Sequence, residues 1–268
     1  MLITMQEYFI WNANPVLLDL GSLQVYWYGL LFAGSFFVGS QILAWMYKRE
    51  GKSSQNIDTL FFYVIVGAVV GARLAHCFLY EPTYFLEHPS EIIAVWKGGL
   101  ASHGGVVGFL LSVWLYSKKH SESYAWILSR LSISAALTGS AIRFGNFMNS
   151  EIVGTPTDVP WAVIFQRLDN LPRHPVQLYE SFIYFLIFIL LFTIYRKVKP
   201  AFATKILPAL FFVTIFTARF FLEFIKTKQA SYETGVLSTG QMLSIPFILL
   251  GLGLLIWAFI SEKKSQNS

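Results

Sequence analysis

Apolar residues run along this chain in long, nearly unbroken blocks, with the polar residues gathered between them. The blocks lie at roughly 23–46, 58–80, 100–117, 124–145, 176–195, 206–225 and 239–260. Each approaches the length of about 20 residues that a helix needs to cross the hydrocarbon core. The pattern predicts an all-α integral membrane protein with about seven transmembrane helices. No internal repeat, heptad array or low-complexity tract interrupts it, and no linker separates two hydrophobic cores. Residues 1–268 therefore read as a single polytopic membrane domain, whose one long polar excursion, at about 147–175, predicts a small extracytoplasmic head.

Composition agrees with this picture. Of 268 residues, 55% are hydrophobic and 13% charged, and the mean hydropathy is +0.54, well outside the range of soluble domains. Residues 1–22 carry Glu7 and Asp19, lack a basic n-region and have no apolar run before Val25, so no cleavable signal peptide is expected there. Cys77 is the only cysteine and lies in the second block, which excludes disulfides and cysteine-rich metal sites and leaves it as a small packing residue.

A net charge of +5 does not point to nucleic acid, because the basic residues cluster at alternate helix junctions. Lys48, Arg49 and Lys52 follow the first span, Lys118 and Lys119 the third, Arg196, Lys197, Lys199 and Lys205 the fifth, and Lys263 and Lys264 the seventh. That places 11 of 20 basic residues on one side, which the positive-inside rule makes cytoplasmic. The N-terminus is expected outside and the C-terminus inside.

Polar residues within the spans then fall at one depth. Tyr28, His103, Gln177, Tyr179, Glu180 and Gln241 begin spans that run inward. Arg73, Arg143, Asn146, Arg219 and Glu223 end spans that run outward. Intramembrane ionisable groups are costly and usually face a cavity, so a polar cavity toward the outer leaflet is expected. The cytoplasmic half offers little beyond Arg130 and Asp58, both read as reaching the interface.

Three segments carry candidate chemistry. Gly98 through Gly105, with His103, opens the third span. Its glycines permit irregular backbone, tolerated at membrane depth where it lines a cavity, and its free amides suit a phosphate; a hinge beside a hydrogen-bonded core histidine is the plainer reading. Arg143 through Glu151 combines an arginine fork with amides, good chemistry for an anionic head group, although an interfacial arginine also snorkels to lipid phosphates. Arg219 and Glu223 are four apart on one helix face, where they can neutralise each other. His174-Pro175-Val176-Gln177-Leu178-Tyr179-Glu180 begins the fifth span with proline near its first turn. Gly67 and Gly71 form a G-x-x-x-G step best explained by helix packing, and His76 reads as packing or interface. The five histidines lack ligand spacing, and no G-x-S-x-G elbow or phosphate-binding P-loop is present.

Taken in order, Tyr26-Trp27-Tyr28-Gly29-Leu30, Gly71-Ala72-Arg73, Trp96 through Gly105, Arg143 through Gly154, Arg173 through Glu180, Arg219 through Glu223, and Gly240 through Pro246 resemble the bacterial phosphatidylglycerol–prolipoprotein diacylglyceryl transferase family over essentially the whole length. The chain departs from that pattern at Ile142 and Ser150, where glycine is common, at Val176, where a hydroxyl residue is usual, and at Lys226-Thr227-Lys228, where an Arg and a Pro-Asp pair often follow.

The resemblance implies transfer of an sn-1,2-diacylglyceryl group from phosphatidylglycerol to the lipobox cysteine thiol of a prolipoprotein, in the bacterial cytoplasmic (inner) membrane, with glycerol phosphate released. It places Arg143 on the phospholipid phosphate, supported by Asn146 and Tyr28. Glu151 holds Arg143 or the glycerol, and Gly104 and Gly154 belong to the lipid-binding set. It makes His103 the general base and Arg219, oriented by Glu223, the stabiliser of the leaving phosphate. The expected partners are phosphatidylglycerol, prolipoprotein signal peptides and membrane lipids, with no nucleic acid, metal or soluble cofactor. A second mechanism leaves His103 as a hydrogen-bond donor and has Arg219 lower the thiol pKa. The alternative function is a small-anion or lipid transporter using the outer-leaflet cavity.

Overall fold

A computed structural model describes residues 7–21, 24–227 and 237–266. Eight α-helices follow one another: α1 (Trp27–Arg49), α2 (Ile57–Ala75), α3 (Pro82–Glu87), α4 (Ser102–Lys119), α5 (Tyr124–Met148), α6 (Val176–Lys197), α7 (Pro200–Leu222) and α8 (Thr239–Gln266). A π-helical turn, His76–Tyr80, extends α2, and a 3-10 turn, Glu223–Ile225, extends α7.

Six of these helices are long and apolar enough to cross a membrane among the described residues. The seventh expected span forms α4, but its 18 residues open on Ser102-His103-Gly104-Gly105 and close on Lys118 and Lys119, so the apolar stretch between these ends is too short to qualify. Lys48 and Arg49, Lys118 and Lys119, Arg196 and Lys197, and Lys263 and Lys264 occupy the last turns of α1, α4, α6 and α8, where cations also suit the helix dipole.

The chain divides into two compact units, residues 40–130 and residues 1–39 with 131–268. In the first, glycines set the crossing of α2 and α4. A Cβ on Gly71 would overlap the Gly104 carbonyl oxygen, and one on Gly108 would overlap the Gly67 carbonyl oxygen. Backbones this close gain dispersion contacts that lipid cannot supply, as the G-x-x-x-G step predicts. Cys77 is completely buried with a free thiol, consistent with a packing role.

Arg130, read from the sequence as reaching the interface, has its side chain enclosed by protein. It is completely buried, and its Nη2 lies 2.8 Å from Glu50 Oε1 and 2.9 Å from Oε2. Trp126 donates to the same carboxylate at 2.7 Å. Glu50 sits just beyond α1, and its carboxylate neutralises a guanidinium that would otherwise be expensive to bury.

In the second unit, Ser140 and Ser181 join α5 to α6, each hydroxyl donating to the other residue's carbonyl oxygen, at 2.8 and 3.0 Å. Phe247 of α8 stacks on Phe212 and Phe216 of α7. The polar excursion is built on a three-stranded sheet of β1 (Phe9–Trp11), β4 (Val163–Phe165) and β5 (Pro172–Arg173), with β1 parallel and β5 antiparallel to β4. A two-stranded pair, β2 (Val16–Asp19) and β3 (Gln24–Tyr26), leads into α1. The sheet thus draws on residues 9–11 as well as on the 147–175 region. Phe147, Met148, Val153, Val163 and Phe165 form its core against Trp11, whose indole donates to the Phe147 carbonyl at 3.1 Å. Residues 9–11 lack a long hydrophobic run, so only their pairing reveals them.

Candidate active site

Arg143 lies near the end of α5, with 13% of its side chain exposed. Its Nε stands 3.1 Å from Oε2 of Glu180, whose side chain is completely buried on α6. The N–H is misaligned, so neither atom makes a hydrogen bond despite the short ionic distance. Nη1 lies 3.4 Å from Asn146 Oδ1, a long contact. The terminal nitrogens have no carboxylate partner among the described residues, leaving a cationic fork in a low-dielectric setting.

Asn146 donates to Glu151 Oε2 at 3.3 Å, and Asn149 donates to Oε1 at 3.1 Å. Gln177 donates to the Glu151 carbonyl at 2.6 Å. Buried acceptors remain beside them: Asn149 Oδ1, Ser150 Oγ and Gln177 Oε1 have no partner among the described residues. Buried polar atoms are usually satisfied, so this pocket has unused accepting capacity. Tyr28, near the start of α1, packs on Gly145, where a Cβ would lie 2.8 Å from its ring. Its phenol stands within the electrostatic reach of Glu151 and Arg143. The structure brings Tyr28, far away in sequence, together with Arg143, Asn146 and Glu151, the grouping that the resemblance implies.

Ser150 has φ +58° and Ile152 φ +54°, in the left-handed region that costs a side chain energy. The first value explains why glycine suits position 150. Gly154 leaves no space for a side chain, since a Cβ would come within 2.5 Å of the His174 carbonyl. Its own carbonyl accepts from Arg173 at 3.2 Å and from Thr227 at 2.9 Å. Packing accounts for this glycine without a ligand.

Arg219 is half-buried on the last turn of α7 and has no carboxylate partner among the described residues. Tyr184 lies in the combined field of Glu180, Arg143 and Arg219. The expected orientation of Arg219 by Glu223 gives way to another pairing, with Glu223 Oε2 lying 3.4 Å from Lys226 Nζ. The tightening of α7 into a 3-10 turn favours this i,i+3 contact. Lys226 is 7% exposed and also donates to Glu180 Oε1 at 3.1 Å. Sequence reasoning missed Lys226 as a site residue and named it only as a departure; an ammonium three residues beyond Glu223 was the available signal. Lys228 lies outside the described residues.

His103 and Gly104 belong to the other unit. His103 is exposed in the first turn of α4, with no hydrogen bond to its ring among the described residues. Gly104 is buried against Gly71 and Ala75, so helix packing explains it. Gly98 and Gly99 have φ +85° and +70° and supply the expected irregular backbone. Arg73, expected among the cavity residues, is spent on the loop before α4. It donates to the carbonyls of Glu91 at 2.7 Å, Ile92 at 2.9 Å and Gly98 at 2.5 Å. His76 faces Glu81 at 3.5 Å. Glu91 is held below the usual carboxylate range by Lys97 and then Tyr84.

Gln241 has a similarly local explanation. Ser238 N donates to Gln241 Oε1 at 2.9 Å, and Gln241 N donates to Ser238 Oγ at 3.2 Å. This reciprocal capping box begins α8. Among the described residues, no cluster of three or more His, Cys, Asp or Glu could hold a metal.

Residues 15–257 match the family model described as Prolipoprotein diacylglyceryl transferase. A phosphatidylglycerol–prolipoprotein diacylglyceryl transferase of Tolumonas auensis is 51% identical over 92% of this chain and 96% of its own length. Its namesake from Chloroherpeton thalassium is 49% identical over 97% of each chain, and that of Bacteroides fragilis 38% identical over 95% of this chain and 96% of its own. With the match covering nearly the whole sequence, the chain belongs to the prolipoprotein diacylglyceryl transferase family.

Proposed function

We infer that the chain transfers the sn-1,2-diacylglyceryl group of phosphatidylglycerol to the lipobox cysteine of a prolipoprotein. The observation that carries the site assignment is the Arg143 guanidinium, paired through Nε with buried Glu180 and otherwise met by the neutral side chains of Asn146 and Tyr184. That fork suits a phosphodiester. The acceptors beside Glu151 suit the glycerol hydroxyls. Arg219, without a carboxylate partner among the described residues, is the proposed second cation on the leaving group, where charge develops.

In this reaction the cysteine sulfur attacks the diacylglyceryl carbon bound to phosphate. A C–S bond forms as the C–O bond breaks, and glycerol phosphate leaves with the bonding electrons. The thiol proton passes to a base, proposed as His103. A free thiol has a pKa near 8.5 and is mostly protonated at neutral pH, so a base or a cationic neighbour is needed.

The enzyme is proposed to reside in the bacterial inner membrane as one polytopic domain of seven spans, including α4. Its N-terminus and head face outside, its C-terminus faces the cytoplasm, and the site lies toward the outer leaflet. Basic last turns on alternate spans support this orientation.

The decisive assay incubates purified enzyme with phosphatidylglycerol radiolabelled in the acyl chains and a lipobox peptide. The label should move to the peptide and fail to move when serine replaces the peptide's cysteine. Passage of an anion across proteoliposomes, with no labelled peptide, would instead favour transport.

A further inference from the structure

We propose that Lys226 is a positioning residue for the phosphate clamp, acting through Glu180 to set the guanidinium of Arg143. The proposal rests on the assignment of Arg143 to the phospholipid phosphate.

Glu180 is completely buried and shared between two cations. Its Oε2 lies 3.1 Å from Arg143 Nε, and its Oε1 lies 3.1 Å from Lys226 Nζ. Lys226 also meets Glu223 Oε2 at 3.4 Å, and its side chain is 5% exposed. An ammonium so removed from water must find anions, and it fixes one oxygen of Glu180 by a charge-assisted hydrogen bond.

That bond restricts what Arg143 can do. A free carboxylate would take an arginine in the favoured bidentate arrangement, using two nitrogens at once. With Oε1 held by Lys226, Glu180 offers Oε2 alone, and Arg143 meets it through Nε. Its terminal nitrogens, met by neutral Asn146 and Tyr184 and by no second carboxylate among the described residues, remain available to an anion. Lys226 therefore keeps the fork from closing on Glu180.

The backbone fixes Lys226 independently of its side chain. Residue 226 bridges Gly154 in antiparallel fashion, Thr155 N donates to the Ile225 carbonyl at 2.9 Å, and Thr227 N donates to the Val153 carbonyl at 3.1 Å. The ladder joins the turn after α7 to the strand-like stretch following Glu151. Gly154 fits here because this strand has neighbours on both edges, its N–H donating to the His174 carbonyl at 3.0 Å.

The test compares steady-state transfer by Lys226→Met and Lys226→Arg, each with native Arg143 and with Arg143→Lys. Removing the ammonium should raise KM for phosphatidylglycerol at least about tenfold while kcat stays within about threefold. Lys226→Arg restores the cation and should return KM to within about twofold of the parent. In the Arg143→Lys background, Lys226→Met should add less than about threefold, because lysine has no fork to protect. Should Lys226→Met not give folded enzyme, Lys226→Gln carries the same comparison. Unchanged KM in the charge-removed variant, or an equally large rise in the Arg143→Lys background, overturns the positioning role. Full transfer by Arg143→Lys alone overturns the clamp assignment instead.

Discussion

Arg143 and Arg219 share a chemistry but not a setting: one is paired through Nε, and the other has no carboxylate partner among the described residues. Arg143→Lys keeps the charge but loses the fork, so transfer at limiting phosphatidylglycerol should fall at least about tenfold, or about 1.4 kcal/mol in transition-state stabilisation. Arg167→Lys, on the exposed head surface, should lose much less. His103 is tested by His103→Gln, which can donate a hydrogen bond but cannot take a proton at neutral pH. If His103 is the base, transfer should nearly vanish at pH 7 and recover in part near pH 9, where more thiol ionises unaided. An active variant with a parallel profile from pH 6 to 9 would leave Arg219 as the activator. The proximity of Arg143, Asn146 and Glu151 was legible because they sit in one short motif. The pairing was not: Glu180, Glu223 and Lys226 are spread over 47 residues, and which carboxylate meets which cation depends on the tightened turn after Leu222.

At the scale of elements, hydrophobic blocks located every long helix, since a spanning helix must satisfy its own backbone in lipid. The short strands escaped because β1 and β5, at three and two residues, are too brief for a period to register. Helix crossings make a direct prediction. Gly108→Ala would drive a Cβ into the Gly67 carbonyl and should cost about 1–3 kcal/mol, read as a lower unfolding midpoint in detergent. Gly253→Ala has no neighbour within 4 Å and should be neutral or slightly stabilising through helix propensity. A second prediction concerns the head. Arg173 pairs with Asp169 at 2.5 Å and, with a smaller backbone contribution from Leu171, holds its carboxyl below the usual range. A depressed carboxyl stabilises the fold above its unfolded pKa of about 3.9 and loses that contribution as pH falls through the folded value. Asp169→Asn should therefore lower head stability by about 0.5–1 kcal/mol at pH 7, after allowance for solvent screening. The gap from the parent protein should close below about pH 4, which thermal unfolding at stepped pH would show.

For the whole molecule, orientation follows from where charge can remain at low cost during insertion. A cationic helix end dragged through the bilayer pays a large desolvation penalty, so short loops rich in Lys and Arg stay in the cytoplasm. The basic pairs closing α1, α4, α6 and α8 agree on one side only if α4 crosses the membrane. With α4 crossing, four inward helices alternate with three outward ones, and all four pairs are cytoplasmic. With α4 remaining on one face, the pair at Lys48 and Arg49 parts company with the other three. Buried Arg130 supplies no contrary signal, because Glu50 neutralises it. A reporter fused after Lys119 should thus score cytoplasmic, as should one after Ser268, which lies outside the described residues. A reporter within 155–170 should score outside. Activity outside at both Lys119 and Ser268 would reverse the orientation and move the Arg143 site to the opposite leaflet. The same result with a reporter after Lys52 still cytoplasmic would instead remove α4 from the spans, because the remaining six, alternating from an outside N-terminus, then place Lys119 and Ser268 outside together.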